Sequence, residues 1–117
     1  MVTLYYRKHS KDSKRAIEWF RQNNLEVNKV NINDIAEKSI FQLIYLSDMD
    51  ISQILRQDPR SYFLHYKKKK AKELRFSESL RYLEKNSYLL QDPIILSPNF
   101  SQIGYDEARL IKYSHKL

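Results

Sequence analysis

The sequence predicts one mixed α/β domain with the order β-α-β, a helical insert, and a closing β-β-α. Three observations carry this. Short runs that alternate apolar and polar residues, rich in β-branched and aromatic side chains, stand at both ends of the chain. The middle instead repeats its apolar residues every three or four positions. The length of 117 residues fits a single hydrophobic core, since domains commonly run roughly 50 to 200 residues. With 42% hydrophobic residues the chain can build that core.

The first strand is expected at Val2–Tyr6. A helix follows, with Ser10 as its N-cap, Ser13, Ala16, Ile17 and Phe20 at helical spacing, and Asn23-Asn24 as its stop. Trp19 beside Phe20 reads as packing, or as an interface residue if it stands exposed near Ser10. Leu25 to Ile32 alternates again, and strand, helix and strand within about 32 residues make a βαβ unit with parallel strands. Ile35, Ile40, Leu43 and Ile44, then Ile51, Ile54 and Leu55, predict helices on either side of the acidic turn Ser47-Asp48-Met49-Asp50. Asp58-Pro59 breaks the pattern. Tyr62, Phe63, Tyr66 and a lysine run lead into a further helix carrying Phe76, Leu80 and Leu83, with Ser77 as its expected cap. A strand over Leu89–Leu96, centred on Asp92-Pro93-Ile94-Ile95-Leu96, pairs with Phe100–Ile103 across Ser97-Pro98-Asn99, and Gly104 ends the hairpin. Tyr105-Asp106-Glu107 opens the last helix with acids that suit its dipole. One domain over 1–117 is expected, with 1–34 and 88–117 as its core and 35–87 as the insert.

Composition excludes several functions. The absence of cysteine removes disulfides, thiolate catalysis and thiolate metal sites together. A single glycine, Gly104, leaves no glycine-rich phosphate loop. His9, His65 and His115 lack paired spacing, so no metal site and no cofactor are expected. Asp48, Asp50 and Ser52 imitate a calcium loop, but Gln53 replaces its turn glycine and Pro59 its bidentate acid. His9, Ser10 and Asp12 stand too close along a strand-to-helix turn to converge as a triad. The start Met1–Tyr6 runs straight into Arg7 and Lys8 without an apolar leader, and no apolar run approaches the roughly 20 residues that cross a bilayer. A soluble, cytoplasmic protein with no membrane partner is expected.

The formal charge is +7. Arg60, Lys67, Lys68, Lys69, Lys70, Lys72 and Arg75, against Glu73 alone, place +6 of it between residues 60 and 75. This stretch reads either as a patch for nucleic acid or an acidic protein, with Tyr62, Phe63 and Tyr66 as stacking groups, or as a solvated helix face whose rings turn into the core.

The element order, with a proline immediately before the third strand, is the thioredoxin-like arrangement. The sequence resembles the Spx and arsenate reductase-like (ArsC/Spx) family in the start Met1-Val2-Thr3-Leu4-Tyr5, in Lys14-Arg15-Ala16 and in Asn31-Ile32. It does so again in Leu89-Leu90-x-x-Pro93-Ile94-Ile95 and in Gln102-Ile103-Gly104-Tyr105. The resemblance implies a mixed four-stranded sheet with a helical insert between its second and third strands, and a cis bond before Pro93. It also implies that Ser10 and Ser13 occupy the Cys-x-x-Cys positions, where a helix N-terminus would activate a thiolate but leaves a serine to cap. Gln91-Asp92 stands where the family tends to carry two arginines, and Asp92 would repel an oxyanion. On these two grounds arsenate reduction is excluded and no enzyme is expected. The implied role is a non-catalytic, redox-independent regulator of transcription that contacts RNA polymerase. Candidate contacts are Arg7, Lys8 and Lys14 at the former redox loop, the Asp48–Asp50 turn, and the basic run. Asp50 stands where Spx proteins carry a glycine important for docking on the C-terminal domain of the polymerase α subunit, which weakens that contact. The alternative is a thioredoxin-fold binding module that has lost polymerase docking and uses its basic surface for another acidic protein or nucleic acid.

Overall fold

Two short parallel strands and an antiparallel hairpin form one four-stranded mixed sheet in a computed structural model that describes residues 1–57 and 62–117. The elements run β1 (Thr3–Tyr6), α1 (Lys11–Gln22), β2 (Asn28–Asn31), α2 (Glu37–Ser47), α3 (Ile51–Ile54), α4 (Tyr62–Glu73), α5 (Phe76–Lys85), β3 (Ile94–Ser97), β4 (Phe100–Ile103) and α6 (Glu107–Lys112). Single 3₁₀ turns lie at Ile32–Asp34, Ser87–Leu89 and Ser114–Lys116. The sheet order is β2-β1-β3-β4, with β1 parallel to β2 and antiparallel to β3, and β3 antiparallel to β4.

Strand periodicity sorts the core into two layers. Leu4 and Ile95 point to the face covered by α1 and α6, where Ala16, Trp19, Phe20 and Leu110 are buried. Tyr5, Ile94 and Leu96 point to the other face, which Ile40, Leu43, Leu80 and Leu83 of the inserted helices cover. Both faces being covered explains why β3 is an unbroken apolar run rather than an alternating one. Trp19 is buried and meets Phe20 edge-on at 5.1 Å.

Several boundaries differ from the sequence reading, each for a tertiary reason. β2 is four residues rather than eight because it is an edge strand that pairs only with the four residues of β1. Leu25 and Val27 instead pack, half-buried, against the α1 layer. β3 starts at Ile94, since Ser87–Leu89 coil as a 3₁₀ turn and Leu90 spends its pairing on a single bridge to Leu55. Ser77 does not cap α5 but lies inside its first turn. Arg75 takes the N-cap position with no side-chain bond, and its carbonyl receives the Ser79 N–H at 2.8 Å. The α4–α5 corner is closed by the buried Ser79 hydroxyl, which donates to the Ala71 carbonyl at 2.6 Å. The Asp58-Pro59 break lies outside the described residues.

The acidic turn has its own local logic. Asp48 ends α2 in the left-handed region at φ 56°, a conformation that aspartate tolerates better than most residues. Asp50 caps α3: its carboxylate accepts the Gln53 N–H at 3.1 Å, and the Gln53 side chain accepts the Asp50 N–H at 2.9 Å.

Candidate functional site

The end of β1, the turn Arg7-Lys8-His9 and the start of α1 form one wall of a cleft. Ser10 caps α1 as its sequence position predicts, its hydroxyl accepting the Ser13 N–H at 3.2 Å. The Ser10 N–H closes the turn on the Arg7 carbonyl at 3.1 Å. Ser13, one helical turn on, is buried. Its hydroxyl accepts the Arg7 N–H at 3.0 Å and donates to Asp92 Oδ2 at 2.6 Å.

Asp92 arrives from the opposite side of the chain, held beside the loop by the strand that follows Pro93. The Asp92–Pro93 peptide bond is cis, and the Pro93 carbonyl accepts the Gly104 N–H at 2.8 Å. Asp92 Oδ1 accepts from the Arg7 guanidinium at 2.6 Å. Arg7 also donates to the carbonyls of Leu90 at 3.2 Å and Ser87 at 3.3 Å. Arg7, Ser13 and Asp92 therefore form one closed network that ties β1, α1 and the segment before β3 together. Both charged partners are largely covered, with side-chain exposures of 23% and 13%.

In front of this network lies a cleft of about 490 Å³ lined by Arg7, Lys8, His9, Ser10, Asn31, Asn33, Arg56 and Asp92. Lys8, His9 and Arg56 are exposed. With the Asp92 charge matched by Arg7, the balance at the cleft is set by Lys8 and Arg56 and is positive, which suits an anion. This corrects the sequence reading of Asp92 as a repelling charge: its carboxylate is engaged on both oxygens.

The other predicted residues fall elsewhere. Arg7 lines the cleft, but its guanidinium is bonded to Asp92 and to the Leu90 and Ser87 carbonyls. Lys14 points away from the cleft and lines a groove of about 370 Å³ with Arg15, Glu18, Trp19, Gln22 and Tyr105. Burial is the chief cause of a raised Tyr105 hydroxyl pKa there. Asp48 and Asp50 are exposed at the α2–α3 turn. Hydrogen bonds from the Ser52 hydroxyl and the Gln53 N–H hold the Asp50 carboxyl below its usual range.

Lys67, Lys68, Lys69, Lys70 and Lys72 all lie on α4 and Arg75 at the start of α5, while Arg60 lies outside the described residues. They are not equivalent. Lys68 donates to the Arg56 carbonyl and has its pKa lowered, by burial first and then by Lys72. Lys67 sits over the rings of Phe63 and Tyr82, and Lys70 over Tyr82, at 5.3 to 5.7 Å. The rings of this helix do not turn inward. Tyr62, Phe63 and Tyr66 are 88%, 58% and 61% exposed.

Sequence reading missed Arg56, Asn31 and Asn33 as cleft residues. The Arg56 N–H bonds the Leu89 carbonyl at 2.8 Å, and this pairing across 33 residues, with no periodic signal, brings it to the cleft. It also missed an apolar groove of about 510 Å³ at the α2–α3 turn, lined by Met49, Asp50, Ile51, Ser52, Lys72, Leu74, Phe76 and Ser79. Exposed Phe41 and Tyr45 extend it, Phe41 lying 6.1 Å from Tyr45 and 6.2 Å from Phe76. Among the described residues no three His, Asp or Glu side chains converge as a metal site, and no helix is long and apolar enough to cross a membrane.

No family model and no curated protein matches the sequence. Solved structures do match the fold. A possible arsenate reductase from Streptococcus mutans is 21% identical, with a TM-score of 0.76 over 90% of this chain and 91% of its own. The Staphylococcus aureus protein SACOL0876 is 17% identical, with a TM-score of 0.78 over 96% and 97%. An arsenate reductase from Vibrio cholerae is 8% identical, with a TM-score of 0.76 over 99% and 97%. The fold is thus the thioredoxin-like one of ArsC-type, arsenate reductase-like proteins. The expectation that the chain is no enzyme is corrected accordingly. Proteins described as arsenate reductases are built on this fold over nearly its whole length, and the repulsion assigned to Asp92 is cancelled by Arg7.

Proposed function

We propose that this chain is an Spx-like cytoplasmic protein that acts on transcription by contact with RNA polymerase, its α2–α3 turn docking on the C-terminal domain of the α subunit. The observation that carries the reading is the apolar groove at that turn. Met49, Ile51, Leu74 and Phe76 line it, and the stacked rings of Phe41 and Tyr45 continue it across the surface. A contiguous exposed aromatic surface beside a turn is the anatomy of a protein contact, where large rings supply buried area and a polar rim supplies register. Asp50 and Lys72 form that rim.

The former redox loop supports a contact that does not respond to oxidation. Ser10 and Ser13 hold the positions at which the family carries cysteines, and the Ser13 hydroxyl is already bonded to Asp92 at 2.6 Å. The loop is held by charge and hydrogen bonds rather than by a sulfur bridge.

Calorimetric titration of the purified chain with the isolated α C-terminal domain, at moderate salt, tests the reading. Binding is expected from the wild type, tightened by Asp50→Gly, which removes an exposed carboxylate from the rim and costs the α3 cap only a few tenths of a kcal/mol. Phe41→Ala with Phe76→Ala is expected to abolish it. Absence of binding by both the wild type and Asp50→Gly refutes the polymerase assignment. Binding by Asp50→Gly alone identifies a module released from the polymerase.

A further inference from the structure

The surface of α4 answers a different question from the α2–α3 groove. Tyr62–Glu73 carries five lysines and one glutamate, a local charge of +4, and three largely exposed rings. Tyr62 and Tyr66 are one turn apart on one face, and side chains four residues apart on a helix stand about 5–6 Å from each other. Phe63 and Lys67 repeat that spacing alongside, with the Lys67 ammonium 5.3 Å over the Phe63 ring. Lys69 and Lys70 follow one turn later and are exposed. Lys69 reaches Glu73 only at 4.0 Å, and Lys70 rests over the Tyr82 ring, so both ammonium groups stay open to a phosphate.

We infer that α4 is a binding surface for single-stranded nucleic acid, with Tyr62 and Tyr66 stacking on unpaired bases and Lys69 and Lys70 contacting the flanking phosphates. Charge complementarity selects a polyanion. The rings select the single strand within that class, because a duplex keeps its base faces stacked inside, whereas any unpaired base offers a face to an exposed aromatic side chain. An acidic peptide would satisfy the lysines and leave the exposed Tyr62 and Tyr66 rings unused. His65 and Glu73 are the other titratable groups of the helix, and Arg56, whose carbonyl accepts from Lys68, adds positive charge at its flank.

Fluorescence anisotropy with a dye-labelled 20-nucleotide oligo-dT tests this on the full chain, alongside a labelled duplex and a labelled poly-glutamate peptide. Oligo-dT is expected to bind at least tenfold more tightly than either comparison probe. Tyr62→Leu and Tyr66→Leu should each weaken binding about tenfold, while Tyr62→Phe and Tyr66→Phe stay within about threefold, which separates stacking from lost structure. Lys69→Gln with Lys70→Gln should reduce the slope of log affinity against log salt by about 1.4, the release expected for two phosphate contacts on a single strand. Equal affinity for the duplex, tighter binding of poly-glutamate, indifference to the leucine substitutions, or no binding of oligo-dT each overturns the proposal. These outcomes are independent of the polymerase reading, whose test uses other residues and another ligand.

Discussion

Asp92→Ala would break the contact that joins the first and last thirds of the chain. The carboxylate accepts two bonds of 2.6 Å, one from a guanidinium and one from the Ser13 hydroxyl. A fully exposed ion pair is worth about 0–1 kcal/mol, while stranding one partner of a buried pair costs about 3–5 kcal/mol. With side chains 23% and 13% exposed, this pair lies nearer the buried case. Arg7 keeps the Leu90 and Ser87 carbonyls, however, so its charge is not left bare. A charge-assisted bond of about 1.5–3 kcal/mol, discounted for that compensation, plus about 1 kcal/mol for the hydroxyl, gives an expected loss of roughly 2–3 kcal/mol. This is a large share of a typical 5–15 kcal/mol domain stability. Urea denaturation of the wild type, Arg7→Met, Asp92→Asn and the double variant should return a coupling of about 1–2 kcal/mol, little changed between low and high salt because the pair is covered. Hydrogen exchange at the Arg7 amide, which donates to the Ser13 hydroxyl, should speed up in Asp92→Ala. A coupling below about 0.3 kcal/mol, or wild-type stability of Asp92→Ala, would refute the view that this network organises the loop.

Ser10→Ala should lower stability by about 1 kcal/mol in urea, whereas Ser10→Asp, which can still accept the Ser13 N–H, should stay close to wild type. Tyr82→Phe should leave stability unchanged or raise it by up to about 1 kcal/mol. Its hydroxyl is buried and has no hydrogen-bond partner among the described residues, while its ring, which carries the contacts to Lys67 and Lys70, remains. A clear loss would show that the hydroxyl is bonded after all. Asp50 is held more acidic in the fold than its ordinary value of 3.8, so the unfolded chain takes up its proton first and stability rises with pH between the two values. The stability difference between wild type and Asp50→Asn should therefore be full above that value and vanish as pH falls through the lowered one. A difference that persists unchanged through that acid window would remove the carboxylate from the α3 cap.

Local periodicity and capping chemistry were enough to place most elements. Alternation in Thr3–Tyr6, helical spacing from Ser13 to Phe20 and the Asp106 start of α6 are properties of neighbouring residues, and neighbours are what a sequence displays. Ser10 as a cap belongs to the same class, since its bond reaches only three residues along the chain. Ser77 misled because a serine next to a helix start has the right chemistry, while the corner that decides where α5 begins is fixed by Ser79 bonding back to α4.

The site itself depended on distance in the chain. Asp92 reads as an unmatched acid in one dimension, and only the fold brings Arg7 to it across 85 residues and turns a repelling charge into a neutralised clasp. Arg56 joins the cleft through a bridge between Leu55 and Leu90 that no periodic pattern announces. The lysine run shows the division most plainly. Composition by itself determined that residues 60–75 hold +6 of the charge, but whether Tyr62, Phe63 and Tyr66 face the core or solvent depends on which side of α4 meets α5 and α3. Helix propensity and charge are additive along the chain, whereas burial belongs to pairs of surfaces, so that choice was left to the tertiary structure.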